Sequence, residues 1–273
     1  MRPRQWSKNV ILFAGLVFAA KLGDPIRWVE AAAAFVAYCA ASSAAYLVND
    51  VRDAEHDRTH PLKRFRPVAR GELGPRAALA LAGGLSWLAF ALVAPLGLVS
   101  VAFLAAFLTL QGAYSLGLKR LVLVDVFAIA ALFVLRAAAG AAAVDVHISS
   151  WLLLVTALLA LFLALAKRRS ELALPGSSRP VLEGYSLALV DQLIAATVAC
   201  TIAAYAIYTF TAHSRALMAT IPFVVFGLFR YLLLVHRDDL GEEPENVLLT
   251  DRPLIGAVVL WAVTAAAILA ATN

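Results

Sequence analysis

Residues 28–57 read WVEAAAAFVAYCAASSAAYLVNDVRDAEHD. The first two thirds, Trp28–Val48, are a continuous alanine-rich apolar run, and the last third opens abruptly into amide and carboxylate side chains. A helix of about 20 residues, rising 1.5 Å per residue, matches a hydrocarbon layer of about 30 Å. The run shows no alternation of period two, which argues against a strand. In lipid every backbone N–H and C=O must be satisfied within the segment, and a helix does that.

The rest of the chain extends this pattern. Of 273 residues, 62% are hydrophobic and 15% are charged, and mean hydropathy is +0.83. A soluble domain carries roughly 45–50% apolar and about 25% charged residues. The excess is too large for one buried core and excludes disordered, collagen-like and nucleic-acid-binding chains, so the sequence reads as an integral membrane protein. The net charge of +5 and pI near 9.4 fit basic loops beside a membrane, with no nucleic-acid partner. Cys39 and Cys200 stand singly in apolar runs, which gives neither a disulfide framework nor a zinc set and reads as packing.

Nine spans are expected: Asn9–Ala20, Trp28–Val48, Ala77–Ala94, Gly97–Leu118, Leu121–Ala143, Ser149–Ala166, Tyr185–Phe210, Ala216–Val235 and Pro253–Ala271. The first is short and can borrow a turn from Arg4–Lys8. No Pro-, Gly- or Ser-rich linker divides the chain, so residues 1–273 read as a single domain. Eighteen of the 23 Lys and Arg residues fall at the N-terminus or in loops after the even-numbered spans, and only Lys21, Arg27 and Arg215 fall on the other side. That bias places the N-terminus and the long loops in the cytoplasm.

Within the motif, Asn49, Asp53 and Asp57 stand at i, i+4 and i+8 and line one helical face. A solvated helix end would also tolerate mixed charges. Three oxygen-bearing side chains in strict four-residue steps at a membrane rim instead call for a hard cation among them. Mg²⁺, held by a few carboxylates and by substrate phosphates, suits that set. Asp50 sits one step off this face. Lys63, Arg64, Arg66 and Arg70 follow at once, within Thr59–Gly71. Such a stretch can bind anionic lipid headgroups, but beside the acidic motif it suits a diphosphate.

This pair of motifs resembles the UbiA-type superfamily of intramembrane polyprenyl transferases. Asn49, Asp53 and Asp57 match the family's first acidic motif, and Pro-Leu-Lys-Arg-Phe-Arg-Pro at 61–67 follows it. The resemblance implies an all-α integral membrane fold: nine transmembrane helices around a lipid-open cavity with cytoplasmic caps, N-terminus inside. A second acidic motif, about DxxxD, is expected after the sixth span, but this chain has Lys167-Arg168-Arg169-Ser170-Glu171 there. Cations at that place hold a phosphate directly rather than through a second Mg²⁺.

Together with Arg2–Asn9, Tyr114, Lys119, Asp125, the stretch 241–245 and Asp251-Arg252, this departure resembles the decaprenyl-phosphate phosphoribosyltransferase branch. The branch implies Mg²⁺-dependent transfer of a 5-phosphoribosyl group from 5-phosphoribosyl 1-diphosphate to a polyprenyl phosphate in the cell (inner or plasma) membrane, with the active site facing the cytoplasm. On that resemblance Asn49, Asp53 and Asp57 hold the metal, and Asp50, Asp53, Asp57 and Lys63 are catalytic. Lys8, Lys63, Arg64, Arg66, Arg70, Tyr114, Lys119, Lys167, Arg168 and Glu171 bind substrate. The partners implied are the lipid phosphate, the sugar diphosphate and the bilayer, with a homo-oligomer allowed.

Two rivals remain. A transporter places its polar residues near the bilayer midplane, often in inverted repeats, whereas here they cluster at the caps. A prenyltransferase joining a polyprenyl diphosphate to an aromatic or quinone precursor is the nearer rival, and the altered second motif argues against it. Arg136, inside a span, is a functional candidate by its place in the membrane, and reads more readily as a structural pair or as snorkelling outward near Asp145. Asp125 reads equally as functional or as exposed at the interface.

Overall fold

A computed structural model describes residues 3–18, 23–59, 63–147, 149–173, 180–211, 215–237, 247 and 250–272. Arg2, Arg179 and the stretch 241–245 lie outside them, as does the side chain of Lys63. The α-helices are α1 (Ala14–Phe18), α2 (Pro25–Arg52), α3 (Ala54–Thr59), α4 (Pro75–Val93), α5 (Leu98–Leu116), α6 (Val124–Ala143), α7 (Ser150–Ala173), α8 (Leu187–Thr211), α9 (Ile221–Arg237) and α10 (Arg252–Thr272). Among the described residues there is no strand, and eight helical segments are long and apolar enough to cross a membrane.

Local chemistry sets the boundaries. Asp24 caps α2 by accepting the Ile26 N–H at 3.0 Å, with Pro25 at the first helical position. Gly74-Pro75 opens α4, and Gly97, at φ +102°, separates α4 and its trailing 3₁₀ turn from α5.

The first expected span differs from the other eight. Pro3–Phe13 winds as a 3₁₀ helix, and α1 adds five residues. Runs of 3₁₀ beyond three or four residues are uncommon, and each residue rises about 2.0 Å. The two pieces together therefore cover about 30 Å despite their few residues. Tertiary contacts override the local preference for α here: Trp6 Nε1 donates to Ser43 Oγ at 3.3 Å, and Asn9 Nδ2 to Cys39 Sγ at 3.3 Å.

The chain forms two compact units. One comprises Met1–Leu116 and Leu135–Ile148. Its packing depends on glycine where the N-terminal segment meets the second half of α6: a Cβ on Gly140 would lie 2.0 Å from the Leu12 carbonyl oxygen, and one on Gly15 2.7 Å from Ala141 Cα. Arg136 is 5% exposed in this unit. Its Nε donates to Asn9 Oδ1 at 2.8 Å, and its guanidinium lies 4.6 Å from the centre of the Phe107 ring. Arg136 therefore does not snorkel toward Asp145, which lies 4.0 Å from Arg27 instead. An amide oxygen and a ring face solvate the cation inside the bundle.

The other unit comprises Gly117–Val134 and Ser149–Asn273. Its core is built from Phe162, Leu165, Ile194, Tyr231 and Leu234. Arg230 makes a two-pronged pair with Asp251, at 3.1 and 2.7 Å, and this bond holds the Asp251 carboxyl below the usual carboxylate range. Asp251 also caps α10 by accepting the Leu254 N–H. Cys39 packs as expected from the sequence. Cys200 does not: it is exposed on α8, on a surface that lipid covers in an integral membrane protein.

The two glycine environments make a paired test. Gly140→Ala is expected to destabilise the detergent-solubilised protein by about 1–3 kcal/mol or more, because backbone must move. Gly256→Ala, with nothing within 4 Å of the added Cβ, is expected to be neutral or to stabilise by up to about 1 kcal/mol. Thermal unfolding of both variants checks the difference.

Candidate functional site

In the first unit, α2 stops at Asp53, whose φ of −92° and ψ of 6° leave the helical region, and α3 restarts at Ala54. The stripe of Asn49, Asp53 and Asp57 is thus broken in winding but kept in hydrogen bonding. The Asp53 N–H donates to the Asn49 carbonyl at 2.9 Å, and the Asp57 N–H to the Asp53 carbonyl at 2.8 Å.

Electrostatics explains what gathers around it. Asp50 and Asp53 stand at the C-terminal end of α2, where the helix dipole is negative and disfavours carboxylates. Asp57, in the first turn of α3, stands where the dipole is favourable. Asp57 is 2% exposed and Asp50 8%, so both need a cation. Arg66 provides it: one nitrogen, Nη1, donates to Asp57 Oδ2 at 2.5 Å and to Asp50 Oδ1 at 3.2 Å. Asp50 therefore shares its partner with Asp57.

The loop that carries Arg66 is itself fixed. The Arg70 N–H donates to the Arg66 carbonyl at 2.9 Å, and the Leu73 N–H to the Pro67 carbonyl at 3.1 Å. Gly71 takes the left-handed φ of +79° that closes the turn. Val68 is buried among Ala44, Leu47, Ala78 and Ala82 and ties the loop to α2 and α4.

The other expected substrate contacts of this unit are more peripheral. Arg64 is exposed and lies over the Phe65 ring at 4.9 Å. Arg70 is exposed and pairs with Glu72 at 3.1 Å, a contact that contributes little to stability. Lys63 has its backbone in the 3₁₀ turn Lys63–Phe65. Lys8 Nζ donates to Gln5 Oε1 at 2.5 Å, and Tyr114 is half-buried in the last turn of α5. Arg52, one of the loop cations, reaches the Ser115 and Leu116 carbonyls at 3.2 and 3.5 Å, where it caps the C-terminus of α5.

In the second unit, Arg168 is 1% exposed and Asp125 0%. Arg168 Nε donates to Asp125 Oδ2 at 2.6 Å, and Nη1 donates to Glu171 Oε2. The Tyr185 hydroxyl donates to Asp125 Oδ1 at 2.7 Å and accepts the Leu123 N–H at 2.7 Å. Burial, reinforced by the bond to Asp125, pushes the Tyr185 phenol up to about 12. Arg168 and Glu171 were both expected at substrate, and the structure joins them in a buried internal network. Asp125 is not exposed at an interface. Lys119 and Lys167 are half-buried, and Lys167 directly precedes Arg168 in α7. Arg169 pairs with Asp191 at 2.7 Å.

Sequence reasoning missed the network because a lone Asp at the head of an apolar run and a Tyr before another carry no spacing signal. The one available hint was that a carboxylate entering an apolar helix needs a partner.

The donors of Asn49, Asp53 and Asp57 are all hard oxygens, the chemistry that Mg²⁺ selects. Among the described residues no group of three or more His, Cys, Asp or Glu side chains forms a metal cage. The set present suits a cation that shares its coordination with substrate phosphates. By donor type these residues fit the metal that the sequence implies, with Arg66 holding Asp57 Oδ2.

The sequence profile of the UbiA prenyltransferase family matches residues 10–249, and the chain belongs to that family. Its relatives narrow the class. The chain is 33% identical to the decaprenyl-phosphate phosphoribosyltransferase of Mycobacterium tuberculosis, over 99% of this chain and 93% of that one. It is likewise 33% identical to the decaprenyl-phosphate phosphoribosyltransferase of Corynebacterium glutamicum, over 96% of this chain and 82% of the relative. In fold it is similar to a UbiA homologue from Archaeoglobus fulgidus solved with DMAPP and Mg²⁺. The TM-score there is 0.77 at 17% identity, covering 98% of this chain and 97% of that one. The protein is a transferase of this family.

The buried network separates two neighbouring cations. Arg168→Ala removes the guanidinium from two buried carboxylates and is expected to cost about 3–5 kcal/mol of stability. Lys167→Ala is expected to cost less than about 1 kcal/mol. Denaturant unfolding of the solubilised variants distinguishes them.

Proposed function

We propose that the protein transfers a 5-phosphoribosyl group from 5-phosphoribosyl 1-diphosphate to a polyprenyl phosphate of decaprenyl type, with Mg²⁺, releasing diphosphate. The observation that carries this reading is the near-full-length similarity to two enzymes named for that acceptor and that group. The four-residue spacing of Asn49, Asp53 and Asp57, kept in the backbone bonds where α2 meets α3, supports it. In this reading residues 1–273 act as one transferase domain with nine spans, the 3₁₀ segment and α1 supplying the first. The N-terminus and caps face the cytoplasm from the cell membrane.

The roles follow from charge. Asn49, Asp53 and Asp57 would hold Mg²⁺, which supplies positive charge to the departing diphosphate. Arg66 balances Asp50 and Asp57 and keeps Asp57 oriented. Lys63, Arg64 and Arg70 bind donor phosphates from the loop that follows. Lys8, Tyr114, Lys119 and Lys167 contact phosphate or sugar, while Arg168 and Glu171 brace the helix end that carries Lys167. A lipid phosphate monoester is already anionic near pH 7 and attacks the sugar's C1 as its bond to the diphosphate oxygen breaks, so no strong base is assigned. Catalysis rests on positioning and electrostatic stabilisation.

The decisive assay offers the purified full chain both substrate pairs. With Mg²⁺ it is expected to make polyprenyl-phosphate-linked phosphoribose from the sugar diphosphate and a polyprenyl phosphate. Asp53→Asn is expected to lower turnover by about 10²–10³-fold with the thermal midpoint retained. A chain that instead joins polyprenyl diphosphate to 4-hydroxybenzoate and ignores the sugar diphosphate refutes the substrate assignment. Undiminished turnover in excess chelator refutes the metal.

A further inference from the structure

Three observations in the second unit meet at one side chain. Leu123 has φ +66°, in the left-handed region that a residue with a Cβ rarely occupies. It is the central residue of a three-residue turn, closed by the Val124 N–H donating to the Val122 carbonyl at 2.8 Å. Turns of that kind are rare and strained, and persist only where their surroundings over-determine them. Here the Leu123 N–H is held by the Tyr185 hydroxyl. Gly184, next to Tyr185, approaches so closely that a Cβ on it would lie 2.4 Å from Val122 Cγ2.

The same hydroxyl donates to Asp125, which in turn holds Arg168. One phenolic oxygen thus links the segment just after the 3₁₀ turn Leu118–Arg120 to the end of α7. The 3₁₀ turn itself carries Lys119, and the end of α7 carries Lys167. Asp125, Arg168 and Tyr185 are themselves buried, so any influence on a substrate passes through these neighbours.

We propose that Tyr185 is a positioning residue for phosphate binding: its hydroxyl locks the strained turn at Leu123 to the Asp125–Arg168 pair and thereby fixes the backbones that present Lys119 and Lys167 to a substrate phosphate. This rests on the functional reading above. The phosphate is either the monoester of the lipid acceptor or the diphosphate of the donor.

Tyr185→Phe keeps the ring and removes both hydrogen bonds, and Gly184→Ala disturbs the same junction from the other side. The test titrates farnesyl phosphate and, separately, inorganic diphosphate with Mg²⁺ into the full-length solubilised protein by calorimetry, which needs no turnover, and records the thermal midpoint of each variant. Both variants are expected to weaken one of the two probes by roughly tenfold, and the probe that moves names the substrate. In the transfer assay KM for that substrate is expected to rise while kcat stays within about twofold. Unchanged affinity for both probes, or a lower thermal midpoint with unchanged affinity, shows a purely structural tyrosine and overturns the proposal. A wild-type chain that binds neither probe overturns it together with the functional reading. If the wild type binds but transfers no phosphoribosyl group, the reading fails, and the effect of Tyr185→Phe on binding alone decides the proposal.

Discussion

Removing a guanidinium from water inside an apolar helical bundle costs several kcal/mol unless fixed partners replace the lost solvation. Among the described residues, the buried Arg168 and Arg136 and the partly buried Arg230 and Arg66 meet that demand in different ways. Arg168 is matched by two carboxylates, Asp125 and Glu171. Arg230 is held at two points by Asp251. Arg136 has the amide oxygen of Asn9 and the face of Phe107. Arg66 bridges Asp50 and Asp57. Apart from Arg168–Glu171, which lies within α7, these pairings join different segments of the chain, so the arrangement of charge helps decide where loops and helix ends lie in each unit.

The Arg66 bridge differs from the other three in what surrounds it. Its carboxylate Asp50 lies at the negative end of α2, beside Asp53 and Asn49, so the local field favours a further cation. Stability alone would not place several carboxylates there. A site that must accept a divalent ion and an anionic substrate in turn gains from carboxylates that are already desolvated and oriented, because less reorganisation remains when charge arrives. In the second unit the balance is reversed around Arg168: Asp125 and Glu171 are consumed by it, and Lys119 and Lys167 are half-buried.

Much of this was legible in the sequence. Apolar run length and the absence of period-two alternation led to helices, and eight of the nine expected runs are helices long enough to span. The four-residue steps from Asn49 to Asp57 survive as a backbone ladder even though the helix breaks at Asp53. What stayed hidden depended on contacts between residues far apart in the chain. Nothing near Arg136 in sequence pointed to Asn9, and nothing near Arg168 pointed to Asp125 and Tyr185. The 3₁₀ winding of Pro3–Phe13 was equally hidden, because tertiary contacts to Ser43 and Cys39 override local propensity. Loop cations looked alike in sequence, yet Arg52 caps a helix, Arg66 bridges two carboxylates and Arg64 lies over an aromatic ring.

The central claim is that the oxygen atoms at the end of α2 form a divalent-cation site. Electron paramagnetic resonance with Mn²⁺ as the probe, in the presence of inorganic diphosphate, measures this without any assumption about the reaction. The wild-type chain is predicted to bind Mn²⁺ in competition with Mg²⁺, and Asp53→Asn to weaken that binding by at least about tenfold, since even an outer partner of a metal is worth that much. Equal Mn²⁺ affinity in the wild type and Asp53→Asn, with both folded, would contradict the account.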